Sequence, residues 1–154
     1  MPHNISDANK ILNSTFRGEA IPSVSEIWMG LSTNDPVADG GTFNELAGNG
    51  YARVLVEQVG KSYPALLGEA TGRSITNVKQ INWTKATGGD WQRANGVGFF
   101  TAQTGGTPRF YGKLTLTAEQ IAAGGLLTEE GAVCLLDPGA FRVEMADYDL
   151  DIDA

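Results

Sequence analysis

Turn-forming residues break this chain into short pieces, and that limits what it can fold into. Twenty glycines stand among 154 residues. They cluster with proline, asparagine and aspartate, as in Asp35-Pro36, Asp39-Gly40-Gly41, Gly48-Asn49-Gly50, Gly105-Gly106 and Asp137-Pro138-Gly139. Such clusters mark tight turns, because glycine and asparagine accept positive φ and proline fixes φ in advance. No Gly-X-Y period accompanies them, so the glycines punctuate a globular fold and do not build a collagen-like one.

Between the turns, hydrophobicity alternates with a period of two. Ile27 to Leu31 reads as a strand with Ile27, Met29 and Leu31 on one face. Tyr51 to Val59 is the next strand, with Val54 and Val56 opposite Arg53, Leu55 and Glu57. Ser74 to Trp83 alternates imperfectly and reads as one strand with a bulge. Gly96 to Ala102 is apolar on both faces, as a central strand would be. Arg109 to Leu116, Gly131 to Leu136 and Phe141 to Met145 complete the set. About seven short strands with turn signals between them specify an all-β fold, a β-sandwich or jelly-roll-like domain. Residues 60–73 fit either a loop or a short helix.

One segment departs from this pattern. From Ser6 to Arg17, Ala8, Ile11, Leu12 and Phe16 recur at helical spacing, Ser6 or Asp7 can cap the start, and Gly18 can end it. A short N-terminal helix is therefore expected over 5–18. Its apolar stripe, with Ile11, Leu12 and Phe16, must either cover one end of its own sheet or dock on a neighbouring subunit. Thr117-Ala118-Glu119-Gln120 resembles a capping box before a second short helical turn, with an irregular strand as the alternative. The hydrophobic share of 42% supports a real core, and 154 residues suffice for one domain but would cramp two. With no internal repeat or linker, a single domain over 1–154 is expected.

Charge and residue inventory exclude several functions. The net charge of −7 repels phosphate backbones, so no nucleic-acid partner is expected. No apolar run reaches the length of a membrane span, and the N-terminus lacks a basic region followed by an apolar stretch. Neither a membrane nor a secretory signal is expected, and the chain reads as made in the cytoplasm. A single cysteine, Cys134, excludes an internal disulfide. It lies in the apolar run Ala132 to Leu136 and reads as a buried hydrophobe. The one histidine, His3, is terminal, so Ser-His-Asp, Cys-His and zinc sites lack their materials. Thr104-Gly105-Gly106-Thr107 lacks the Lys-Ser/Thr of a phosphate loop, and no dinucleotide fingerprint occurs. No cofactor is expected.

Paired carboxylates are the remaining catalytic option, because a glycosidase needs only two. Glu57, Glu69, Asp90 and Glu144 are the candidates, but their spacing singles out no pair. The chain therefore reads as a non-enzyme. In the acidic C-terminal segment, 146–154, Asp147, Asp149, Asp151 and Asp153 alternate with Tyr148, Leu150 and Ile152. In a strand the aspartates share one face, which makes Asp147, Asp149 and Asp151 candidate calcium ligands. Ile152 stands where an EF-hand loop needs glycine, so a solvated edge strand is the favoured reading. Trp28, Trp83 and Trp91 are candidate sugar-stacking groups. Trp28 and Trp83 sit in strand patterns and read as core, and Trp91 follows a turn and is the exposed candidate.

Two stretches carry a resemblance. Trp28-Met29-Gly30-Leu31-Ser32-Thr33-Asn34-Asp35-Pro36, then Gly48-Asn49-Gly50-Tyr51-Ala52-Arg53-Val54, resembles the "VGLSTTDP … GNGYARV" pattern of small phage virion proteins, tail-fibre-like or capsid decoration proteins. Gly98-Phe99-Phe100-Thr101-Ala102-Gln103-Thr104-Gly105-Gly106, then Tyr111-Gly112-Lys113-Leu114, is similar to that family's "GIFDAATGG … YGAL" block, with Thr101 where Asp is common. Asn9 to Leu12 fits its opening helix, and the segment from Thr117 on matches only loosely.

The resemblance implies a structural virion β-domain assembled as a homotrimer, with no catalytic signature to carry over. It implies that Asp35-Pro36 and Asn49-Gly50 set turns and that Arg53 pairs with a loop carboxylate. Two locations in the virion follow. A capsid decoration (cement) protein would cap capsomer junctions against the major capsid protein or other virion subunits. A tail fibre or receptor-binding module would contact a host glycan. The self-contained length and the lack of a fibre shaft favour decoration on the capsid surface. Ile11, Leu12, Phe16, Asp35, Pro36 and Trp91 are the interface candidates.

Overall fold

A computed structural model describes residues 5–20, 25–58, 71, 74–139 and 142–144. In chain order the elements are α1 (Ile5–Arg17), β1 (Glu26–Ser32), β2 (Val54–Gln58), β3 (Ser74–Thr76), β4 (Ile81–Lys85), β5 (Gly96–Phe100), β6 (Phe110–Lys113), α2 (Ala118–Ala122), β7 (Val133–Leu136) and β8 (Arg142–Glu144). The fold is all-β and sandwich-like, as the turn pattern specifies. A four-stranded sheet runs β2-β1-β5-β6, and two-stranded ribbons form from β3 with β8 and from β4 with β7. Every one of these pairings is antiparallel.

β5 is central in the large sheet and buried along its whole length, which explains its two apolar faces. Its register against β1 pairs Trp28 with Phe100, Met29 with Phe99, Gly30 with Gly98 and Leu31 with Val97. Strand alternation therefore puts Met29, Leu31, Val97 and Phe99 on one face. These side chains form one cluster with Ile81, Trp83 and Cys134 of the β4–β7 ribbon. Leu46, Trp91, Ala94 and Leu114 belong to the same cluster. Trp83 and Cys134 are thus core residues, as their sequence pattern indicates. Trp28 is only half-buried, and its indole N–H donates to the Glu26 carboxylate at 2.7 Å.

Three expectations change. The single strand from Ser74 to Trp83 is two strands in different ribbons. Between them Asn77 is buried, its side-chain amide donating to Lys79 O at 3.1 Å and to Asp137 O at 2.7 Å, while its backbone carbonyl accepts from Gly139 N at 2.9 Å. These bonds turn the chain, so the irregular alternation marks a corner where a bulge was expected. The strand from Tyr51 begins only at Val54, because residues 51–53 belong to the loop packing described below. Ladder pairing of β6 stops at Lys113, yet Leu114 and Leu116 still pack on the core.

Both helices appear. α1 ends at Arg17, and Gly18 follows with φ of +68°. α2 carries the full capping box: Thr117 Oγ1 accepts from Gln120 N at 3.2 Å and Gln120 Oε1 accepts from Thr117 N at 2.9 Å. That reciprocal pair selects the helical alternative for this segment. Residues 59–70, which include Glu69, and the acidic segment with Asp147, Asp149 and Asp151 lie outside the described residues.

Candidate functional site

The second face of the large sheet is built for close approach. Trp28, Gly30 and Ser32 of β1 share it with Gly96, Gly98 and Phe100 of β5, and Gly30 lies directly opposite Gly98. Three positions there have no side chain, so a loop can lie on the sheet. The long connection from Thr33 to Arg53 does so. A Cβ on Gly30 would stand 2.9 Å from Glu45 Oε1 and 3.1 Å from the Tyr51 hydroxyl. On Gly98 it would meet the Phe43 ring at 2.8 Å, and on Gly96 it would meet Ser32 Oγ at 2.3 Å and Pro36 Cδ at 2.4 Å. Glycine is required at these places by contact, and not by φ.

Backbone bonds fix the loop on the sheet: Thr33 N to Asn44 O at 2.8 Å and Leu46 N to Leu31 O at 3.0 Å. Asn34 organises the interior of the loop. Its amide donates to Asp39 Oδ2 at 2.8 Å and Thr42 O at 2.7 Å, and its Oδ1 accepts from Asn44 N at 2.9 Å. Asp35 Oδ1 accepts from Val37 N at 2.9 Å, an Asx-turn arrangement that also positions Pro36. Asn49 adopts φ of +52°, its side chain donates to Asp90 O at 2.7 Å, and its carbonyl accepts from Thr87 N and from Trp91 Nε1. Asp35 and Asn49 are therefore turn-setting residues.

Arg53 ties the loops together. Nε donates to Glu45 Oε1 and Nη2 to Glu45 Oε2, each at 2.8 Å. Nη1 donates to Ala102 O and Gly105 O, each at 2.9 Å. The guanidinium lies 3.3 Å from the centroid of the Phe100 ring. Its side chain is 4% exposed against 27% for Glu45. The fork geometry of arginine meets both carboxylate oxygens and still reaches a third chain segment. Tyr51 completes the network: its hydroxyl donates to Glu45 Oε1 at 3.0 Å and accepts from Leu31 N at 2.9 Å. Burial raises the Tyr51 pKa far above the ordinary phenol range; the bond from Leu31 opposes this and the neighbouring Glu45 charge reinforces it.

Chemically this network joins segments distant in the sequence. Glu45 is shared between Arg53 and Tyr51, and each polar group has a structural partner. What it accomplishes is presentation. Residues 101–107 are exposed throughout, yet the backbone of their loop is bound from below by Arg53. The tip of the other loop, residues 37–40, is exposed as well.

The candidates from sequence fall in different places. Pro36 is fully buried, and Trp91 is 3% exposed, stacked edge-on against Tyr51 at 5.3 Å. The Trp91 ring therefore belongs to the core and is not the exposed aromatic its turn context suggested. Leu12 and Phe16 are exposed on α1, where Ile11 also lies. Asp90 Oδ1 accepts from Glu130 N at 2.8 Å, a loop-fixing role. The side chains of Glu57 and Glu144 lie outside the described residues. Among the described residues no three His, Cys, Asp or Glu side chains gather as a metal site would require. No described helix is long and apolar enough to cross a membrane. Burial also raises the Cys134 pKa, opposed by a hydrogen bond with Thr128. Arg53 pairs with a loop carboxylate as the resemblance implies, and Glu45, which sequence reasoning left unnamed, is that carboxylate; Asn34 was missed.

Comparison with protein families decides the lineage. Residues 4–131 match the model of a family described as podophage GP4 fiber I protein gp80. The chain belongs to this gp80 family. No curated protein matches it. The match runs through both segments that carry the virion-protein resemblance and continues past Leu116, through α2 to Gly131, two residues before β7. As a member of the gp80 family the chain is a phage structural protein, associated with the virion and with its other components.

Proposed function

We propose that this chain is a fibre subunit of a podophage particle, a rigid β-body that presents polar loops for contact with a host surface glycan. The family match to a fibre protein carries this reading. The geometry supports it, because loops fixed from below lose little entropy when they bind. Residues 101–107 offer Thr101, Gln103, Thr104 and Thr107, hydroxyl and amide groups suited to hydrogen bonding with sugars. The family name outweighs the length argument that favoured capsid decoration. The subunit works as a homotrimer and performs no hydrolysis.

Antibody-gold labelling of intact particles tests the location. Label confined to the tail is expected. Label spread over the head would replace this reading with capsid decoration. Glycan-array binding by the isolated protein, lost when Gln103 and Thr104 are both changed to alanine, is expected if the 101–107 loop makes the contact.

A further inference from the structure

Two apolar surfaces of this chain lack cover. One is on α1, where Leu12 is 53% and Phe16 80% exposed. α1 makes no substantial packing contact with any described strand. The other is the outer face of the β4–β7 ribbon. Cys134 points into the core, so alternation turns Val133 and Leu135 outward, and both are exposed. Beside them lies a depression of about 200 Å³, lined among others by Leu126, Leu127, Thr128, Val133, Cys134 and Leu135. A dry cavity of about 150 Å³ can hold benzene, so this one has room for a phenylalanine ring.

Charge favours a meeting of these two surfaces. α1 contains Asp7, Lys10 and Arg17 and carries a net +1, in a chain whose total is −7. The body is correspondingly more acidic. The segment from Leu126 to Gly139, which includes β7, holds Glu129, Glu130 and Asp137 and no lysine or arginine. Lys85 on the facing strand approaches Gly131 and Arg93 donates to Gly125 O, but Asp90, bonded to Glu130 N, adds a fourth carboxylate, so the surface stays net acidic. The Arg17–Glu19 pair does not tie the arm down, since both side chains are mostly exposed.

We propose that α1 of one copy docks on the outer face of the β4–β7 ribbon of a second copy, with Phe16 seated in the depression beside β7. A helix laid on a sheet face is the ordinary way to cover both. Each copy then carries one arm and one receptor, so the contact can repeat head-to-tail from copy to copy. It closes into a ring when the rotation per copy allows, and a trimer is one such ring. The contact itself does not depend on the fibre reading, because sedimentation and particle labelling fail separately.

Sedimentation velocity of the full chain tests the contact. The interface is small, so association in the micromolar range is expected and samples up to about 100 µM are needed. The parent chain should self-associate, while Phe16→Asp and Leu135→Asp should each sediment as monomers with unchanged melting midpoints. Leu135→Ser serves in place of Leu135→Asp if the aspartate lowers the midpoint. Mixing the two variants is the decisive arm. The Phe16→Asp chain keeps its receptor and the Leu135→Asp chain keeps its arm, so one contact is restored and a dimer should form. A mixture that stays monomeric would mean that the arm and the ribbon face do not meet, and would overturn the proposal. So would a monomeric parent chain, or a variant that associates as the parent does.

Discussion

Arg53 grips both carboxylate oxygens of Glu45, each at 2.8 Å, and reaches Ala102 and Gly105 with its remaining amine. One buried side chain thus joins the loop on the sheet, the start of β2 and the β5–β6 turn.

Removing Arg53 should therefore cost more than an ordinary surface change. Arg53→Ala removes the cation from a partly buried carboxylate, which keeps only the Tyr51 hydroxyl, and leaves two carbonyls without this donor. Because Glu45 retains some solvent access, the loss should fall at the lower end of the range for broken buried pairs, about 3 kcal/mol. Arg53→Lys keeps the charge but not the fork and should recover only part of it. Urea unfolding measures both, and an Arg53→Ala loss below about 1 kcal/mol would show that the network contributes little.

Crowding at the sheet makes a second prediction. A methyl group on Gly96 would sit 2.3 Å from Ser32 Oγ and 2.4 Å from Pro36 Cδ, so the loop must lift. Gly96→Ala should destabilise by about 3 kcal/mol or more. Gly106 has φ of +73° and open space around it, so Gly106→Ala bears only backbone strain of about 1 kcal/mol. Equal thermal shifts for the two variants would show that the close packing is not a real constraint.

Tyr51 should make stability fall in alkali. Its folded pKa lies far above the ordinary value of 10.0, while in the unfolded chain the phenol titrates normally. The unfolded state then binds fewer protons above pH 10, so this contribution is complete below about pH 10 and declines as pH rises further. Unfolding free energies measured from pH 8 to 11 should show a downward slope that is reduced in Tyr51→Phe. That variant should also lose about 1–3 kcal/mol at neutral pH, since Leu31 N loses its acceptor. An unchanged slope in Tyr51→Phe would place the alkaline sensitivity elsewhere.

Much of the fold was legible because its signals are local. The turns at Asp35-Pro36 and Asn49-Gly50 depend on the chemistry of those residues and their immediate neighbours. The capping box of α2 closes within four residues, Thr117 to Gln120. Gly96 to Phe100 announces a central strand by having no polar face. The strand from Ser74 to Trp83 was misread because its corner is fixed by Asp137 and Gly139, far along the chain. Trp91 was misread for the same reason: its indole partner is Asn49, and its ring partner is Tyr51.

By itself, then, the sequence determined the all-β class, the turns, the N-terminal helix and the shortage of groups for thiol, histidine or zinc chemistry. Each of these follows from residue inventory or from periods and caps spanning a few positions. Only the tertiary structure decided that the glycine face of the sheet carries a loop, that Glu45 is the carboxylate Arg53 takes, and that the 101–107 turn is fastened from beneath. Alternation tells which residues share a face, but not what covers that face. That choice is made by contacts between distant segments, Arg53 with Gly105 or Gly98 with Phe43, which exist only once the chain has closed on itself.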